Sequence, residues 1–178
     1  MESRFRTGSA KIALFSVLVA VTVLTNLILV PMPPPLQQYD LSPVMIYAVG
    51  VLVSPGLAGL IIAVAQGIGV GYKALTLGFP LVFVPGAMLV RGAEAILISL
   101  IVRARKQKGP KAIYAFEIFA MAVGVVWETI GFFMADWVLF GLGMAMIDVL
   151  VIVDAIFIPL AIAVVAAVRR SLGMQSLM

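Results

Sequence analysis

The 178-residue chain contains no cysteine and no histidine. The first absence removes disulfides, thiol nucleophiles and thiolate metal ligands. The second removes imidazole bases, the common zinc sets, the H-E-x-x-H proteases and the Ser–His dyads of intramembrane proteases. No G-x-x-x-x-G-K-[ST] stretch occurs, so the chain has no P-loop with which to use ATP. An aspartyl intramembrane protease needs a Gly-x-Gly-Asp acid, and Gly141-Leu-Gly143-Met144 carries methionine there. These gaps point away from an enzyme and from a metal site. Charge is scarce too, at 11% of residues. The net charge of +4 comes from basic patches beside apolar runs, without the interleaved aromatics of a nucleic-acid surface.

What remains is apolar. Hydrophobic residues make up 63% of the chain, and the mean hydropathy is +1.20. A soluble domain of this length could not hide so much apolar surface, so lipid is the expected solvent. Ile12–Val30, Pro80–Val102, Ala112–Ala135 and Ala145–Val168 each exceed the roughly 18 residues that mark a crossing of about 30 Å. Ile12–Val30 is longer than a signal-peptide core and no small-x-small cleavage site precedes the prolines, so a retained first helix is expected, ended by Pro31-Met-Pro-Pro-Pro35.

Pro43–Val70 is harder to read. Ser54-Pro55-Gly56 breaks it, and its two halves, Val44–Val53 and Leu57–Val70, reach only about 15 and 21 Å. Basic residues decide between one crossing and two, because Lys and Arg concentrate on the cytoplasmic side. With two crossings, Arg4, Arg6, Lys11, Arg103, Arg105, Lys106, Lys108, Lys111, Arg169 and Arg170 all face the cytoplasm, ten of the twelve basic residues. The expected fold is therefore an all-α multi-pass protein of the cell membrane, one compact bundle of about six transmembrane helices with both termini cytoplasmic. The spans are approximately 12–30, 43–53, 57–70, 80–102, 112–135 and 145–168. The two short spans must lengthen at their ends or be shielded from lipid by neighbours. Pro31–Leu41, Gly71–Phe79 and Asp136–Gly143 form the expected outer surface.

Six ionisable residues fall inside these spans, and each needs a partner, a wet cavity or a proton. Arg91 and Glu94 lie three apart on a helix and can neutralise each other. Glu117 lies close to Lys111 and can reach the cytoplasmic surface. Glu128, Asp148 and Asp154 fall in the outer half with few cations, which suggests a polar pocket opening outward. Tyr39, Tyr72, Trp127 and Trp137 could wall that pocket, or serve as an interfacial belt. Small residues form two stripes. Ser9, Ala13, Ser16 and Ala20 share a face of the first helix, and Gly59, Ala63, Gly67 and Gly71 repeat every fourth residue in the third. Such faces allow close backbone approach, within the bundle or to a partner helix.

Lys11-Ile-Ala13 opens the small-faced first helix, a proline-bearing loop follows, and then come Tyr39-Asp-Leu-Ser-Pro-Val44 and Leu52-Val-Ser-Pro-Gly-Leu-Ala-Gly59. This succession resembles the substrate-binding S components of energy-coupling factor (ECF) vitamin transporters. Motifs carry the resemblance from Lys11 to about Gly71, and layout alone carries it beyond. The turn at Ser54 departs from the family's commoner Gly-Pro-Leu-x-Gly. The Met-His of the nickel and cobalt members is missing, which argues against a transition-metal cargo. The resemblance implies capture of a vitamin or related metabolite from outside. It also implies association with a transmembrane coupling component and two ATPases, which would hydrolyse the ATP, with no cofactor in this chain. It implies a pocket containing Gln38, Tyr39, Asp40, Tyr72, Lys73, Glu128 and Asp148, and a docking face of Ser9, Ala13, Ser16 and Ala20. The residues by themselves leave a second reading open, a self-contained proton- or ion-coupled carrier relaying through Glu128, Asp148 and Asp154. The acid-rich outer half leans toward a cationic or donor-rich heterocycle, while Lys73 and Arg91 could select an anion.

Overall fold

Eleven consecutive buried residues, Ser42–Leu52, form helix α2, around which the rest of the chain is arranged. Pro43 sits in its first turn, where a missing N–H is harmless. Extended Val53 and Ser54 end it, and Pro55 opens the next helix. An apolar helix buried on every side is a core helix. At about 16 Å, α2 is far shorter than a hydrocarbon core of about 30 Å. Its neighbours shield this short apolar segment along its whole length.

The structure, a computed structural model, describes residues 8–31, 38–104 and 113–172. Six of the basic residues expected on the cytoplasmic side, Arg4, Arg6, Arg105, Lys106, Lys108 and Lys111, lie outside the described residues. Around α2 stand α1 (Gly8–Leu27), α3 (Pro55–Leu77), α4 (Phe83–Ala104), α5 (Ala115–Phe140) and a last helical rod. The rod comprises α6 (Leu142–Asp148), a 3₁₀ stretch (Val149–Phe157) and α7 (Ile158–Leu172). Pro55–Leu77, Phe83–Ala104, Ala115–Phe140 and Leu142–Ser171 are long and apolar enough to cross a membrane, with Lys11–Leu27 and Ser42–Leu52 as shorter apolar helices. The chain thus has the build of a helical membrane protein.

Four boundaries differ from expectation, and one is the end of α5, at Phe140 instead of Ala135, which makes Asp136–Phe140 helix and not loop. Helix α3 runs to Leu77 and ends at Gly78, whose φ of 76° suits a residue without Cβ. Gly71–Leu77 is therefore helix and not loop. Its polar residues interrupt the hydropathy but not the hydrogen bonding: Lys73 turns inward and the Thr76 hydroxyl donates to the Tyr72 carbonyl at 2.7 Å. Helix α1 stops at Leu27, short of Val30. Leu29–Pro31 (β1) pairs antiparallel with Gln38–Asp40 (β2), so a small hairpin stands where only a loop was expected. Leu41 then donates its N–H to the carbonyls of Thr25 and Ile28, tying the hairpin to the end of α1. The last span starts at Leu142 and contains the 3₁₀ stretch, which hydropathy cannot reveal.

Gly59, Ala63 and Gly67 of the stripe on α3 form a packing seam against α4, whereas Gly71 faces open space. A Cβ added at Gly59 would lie 2.5 Å from the Ile96 side chain, and one at Gly67 3.0 Å from Met88 Sδ. A Cβ added at Gly92 would lie 3.3 Å from that of Ala63. Near the opposite end from the hairpin, Arg169 holds Glu117 with two short bonds of 2.6 and 2.8 Å, both side chains buried. Glu117 also accepts the Tyr114 N–H at 3.0 Å, closing the first turn of α5. One partner of Glu117 is thus a residue 52 positions away, while Lys111 lies outside the described residues.

Candidate functional site

Successive helices alternate in direction. The hairpin, the Gly78–Val82 turn and the α5–α6 turn consequently gather at one end of the bundle. Beneath them lies a cavity of about 360 Å³. Arg91 of α4 organises its floor. Its Nε donates to Glu128 Oε1 of α5 at 2.7 Å. Its Nη1 donates to Ser42 Oγ at 2.7 Å and Gln66 Oε1 at 3.2 Å, and lies 3.6 Å from Asp40 Oδ1. One guanidinium thereby joins β2, α2, α3, α4 and α5, as its fixed fork of donors allows. The pairing of Arg91 with Glu94 expected from their spacing does not form. Glu94 is fully buried on α4 and neither of its oxygens has a hydrogen-bond partner.

Asp40 is the second junction. It accepts Lys73 Nζ at 2.8 Å, the Ser42 N–H at 2.9 Å and the Ser42 hydroxyl, fastening β2 to α3 and to the start of α2. Burial alone would raise its pKa. Arg91, Lys73 and the bonds from Lys73 and Ser42 outweigh that effect and hold the carboxyl below the ordinary carboxylate range. Tyr39 closes the hairpin onto the last rod, its hydroxyl donating to the Leu150 carbonyl at 3.3 Å. Burial first, then the charges of Asp154 and Glu128, push this phenol above its usual value and keep it a neutral donor.

Of the seven pocket residues implied by the resemblance, Tyr39, Asp40, Lys73 and Asp148 line the cavity. Glu128 stands directly behind them, fully buried against Arg91. Gln38 lies in β2 opposite Pro31, and its side chain lies outside the described residues. Tyr72 is corrected: it is 54% exposed and does not line the cavity, because one helical step from inward-facing Lys73 turns it about 100° outward. The expected tryptophan walls are corrected as well. Trp127 and Trp137 are exposed and do not line the cavity, and Trp127 donates to the Val90 carbonyl at 3.1 Å. The rings at the cavity are Tyr39, Phe79, Phe83 and Phe132.

Sequence reasoning missed Arg91 as the organising residue, Asp136 as a lining acid, and Ser42 and Gln66 as its anchors. Asp154 lines the cavity, fully buried beside the Glu128 carboxyl and with no donor on either oxygen. Asp136 and Asp148 come within hydrogen-bonding reach of each other. Ser9, Ala13, Ser16 and Ala20 are all exposed along α1. No protein-family model, curated protein or solved structure matches the chain.

Proposed function

We propose that this chain is the substrate-capture subunit of an ATP-driven importer of the ECF type, taking a vitamin or related small metabolite from outside the cell. In this reading the bundle crosses the membrane six times with both termini cytoplasmic, and the hairpin end faces outward. The observation that carries it is the cavity beneath the hairpin. Its polar groups come from β2, α3, α4, α5 and the last rod, and its volume of about 360 Å³ falls in the range of small-molecule sites. Capture needs a pocket assembled from several elements under a closable cover, and the Asp40 and Tyr39 contacts supply the closure. The coupling membrane component would dock on the exposed Ser9, Ala13, Ser16 and Ala20 face, and two ATPases would supply the energy.

A stand-alone proton-coupled carrier is the second reading. The buried carboxyls of Glu94, Glu128 and Asp154 favour it, since each keeps at least one oxygen without a partner. Gentle extraction from native membranes, with mass spectrometry of what accompanies the chain, separates the two. A coupling protein with two ATPases is the expected result. Recovery of the chain alone in two mild detergents, with uptake by proteoliposomes driven by a pH gradient, would replace the importer with the carrier.

A further inference from the structure

The charge around the cavity is unbalanced. Asp40, Glu128, Asp136, Asp148 and Asp154 face or adjoin it, against Lys73 and Arg91. Lys73 is taken by Asp40 and Arg91 chiefly by Glu128, at 2.8 and 2.7 Å. Among the described residues, Asp136, Asp148 and Asp154 have no Lys or Arg in salt-bridge contact. Asp154 is fully buried and lines the cavity beside the Glu128 carboxyl, with no N–H or hydroxyl donor on either oxygen, and Asp148 Oδ2 is buried and likewise without a donor. A buried carboxylate with no donor is costly, and a ligand that brings positive charge and N–H groups removes that cost. The lining also carries the rings of Phe83 and Phe132, and Phe132 already receives the Arg91 guanidinium 5.6 Å from its centroid. A planar cation can use such faces.

We infer that the cavity selects a small organic cation with an aromatic body. Its charged, N–H-bearing end would lie between Asp154 and the Asp136–Asp148 pair, and its ring against Phe83 and Phe132. The inference rests on the capture reading, whose cargo class it names.

Three probes of nearly equal shape test the charge: benzamidine (a cation), benzamide (neutral) and benzoate (an anion), titrated onto the purified full chain in detergent by calorimetry. Benzamidine is expected to bind about ten- to a hundredfold tighter than benzamide, as loss of a charged hydrogen bond dictates. Asp154→Asn and Asp148→Asn are each expected to weaken benzamidine by a similar factor while changing benzamide much less. Asp148 is only partly buried, so its amide variant carries the test if the Asp154 variant fails to fold. Benzoate binding as tightly as benzamidine, no difference among the three, or no binding by any overturns the inference. Partner recovery is measured separately. Cation selectivity without partners sinks the importer and keeps the cation, whereas anion selectivity with partners retained does the reverse.

Discussion

Replacing Arg91 with methionine removes, among the described residues, the one cation paired with fully buried Glu128, at 2.7 Å, and also the donor bonding Ser42 Oγ and Gln66 Oε1. Methionine keeps the length and apolar stem, so packing loss is small and the electrostatic loss dominates. Breaking a buried ion pair by deleting one partner costs about 3–5 kcal/mol, because the surviving charge is left unpaired. For a chain of this size about 2–4 °C accompanies each kcal/mol, so Arg91→Met should lower the melting temperature by about 6–20 °C. The assay is thermal unfolding of the detergent-solubilised chain, followed by intrinsic tryptophan emission. The double variant Arg91→Met with Glu128→Gln removes the stranded charge as well. It should recover more than half of the loss, a coupling of about 1–3 kcal/mol. A single-variant drop below about 3 °C, or a double variant as low as the sum of its parts, would refute the assignment of Arg91 as the organising residue.

Other expectations rest on separate features. A Cβ at Gly50 would lie 2.9 Å from the Ile98 Cβ, which cannot swing away, whereas one at Gly71 meets nothing within 4 Å. Gly50→Ala should therefore cost about 1–3 kcal/mol by overpacking, while Gly71→Ala should be neutral or gain up to about 1 kcal/mol of helix propensity, both read from thermal melts. Ala13→Trp and Ser16→Trp lie on exposed positions, so each should leave the melting temperature within about 2 °C while abolishing recovery of partner subunits on pull-down. Retention of the partners with both changes would remove α1 as the docking face. Because Asp40 has a lowered pKa, its stabilisation is present above the unfolded value of about 3.9 and is lost as pH falls through the lower folded value. The melting difference between wild type and Asp40→Asn should accordingly be flat from pH 7 to about pH 5 and shrink only below about pH 4.

Long apolar runs made α1, α4, α5 and the last rod legible, since nothing but a membrane helix suits so many consecutive apolar residues. The C-terminal third of α3 was not, because Tyr72, Lys73 and Thr76 end the hydropathy run while the backbone continues its bonding to Leu77. Strands of three residues, one containing Pro31, carry no alternation from which a hairpin could be read. Spacing suggested Arg91 with Glu94, but spacing describes only one helix. The carboxyls that Arg91 meets come from β2 and α5 through tertiary packing. Glu117 likewise found Arg169 across the bundle. Carboxylates inside spans were legible as a site because lipid penalises them, and Asp148 and Asp154 do line the cavity. Phe83 and Phe132 carried no comparable mark, since a phenylalanine in a membrane span is ordinary, whereas the conspicuous tryptophans turned out to lie on the outside.

The nine-residue 3₁₀ stretch, Val149–Phe157, gives the last rod a mechanical character. It presents the Leu150 and Asp154 carbonyls to the hydroxyls of Tyr39 and Tyr47 at 3.3 and 3.4 Å. A 3₁₀ turn rises about 2.0 Å per residue against about 1.5 Å in an α-helix, and advances about 120° against about 100°. Rewinding the stretch as α-helix would shorten the rod by about 4.5 Å and turn its far end by about half a revolution relative to Asp148. Arg169 rides on that far end, clamped to Glu117. The wall of the cavity and the clasp at the opposite end of the bundle are therefore carried on one continuous rod, at a pitch and phase that the 3₁₀ stretch sets.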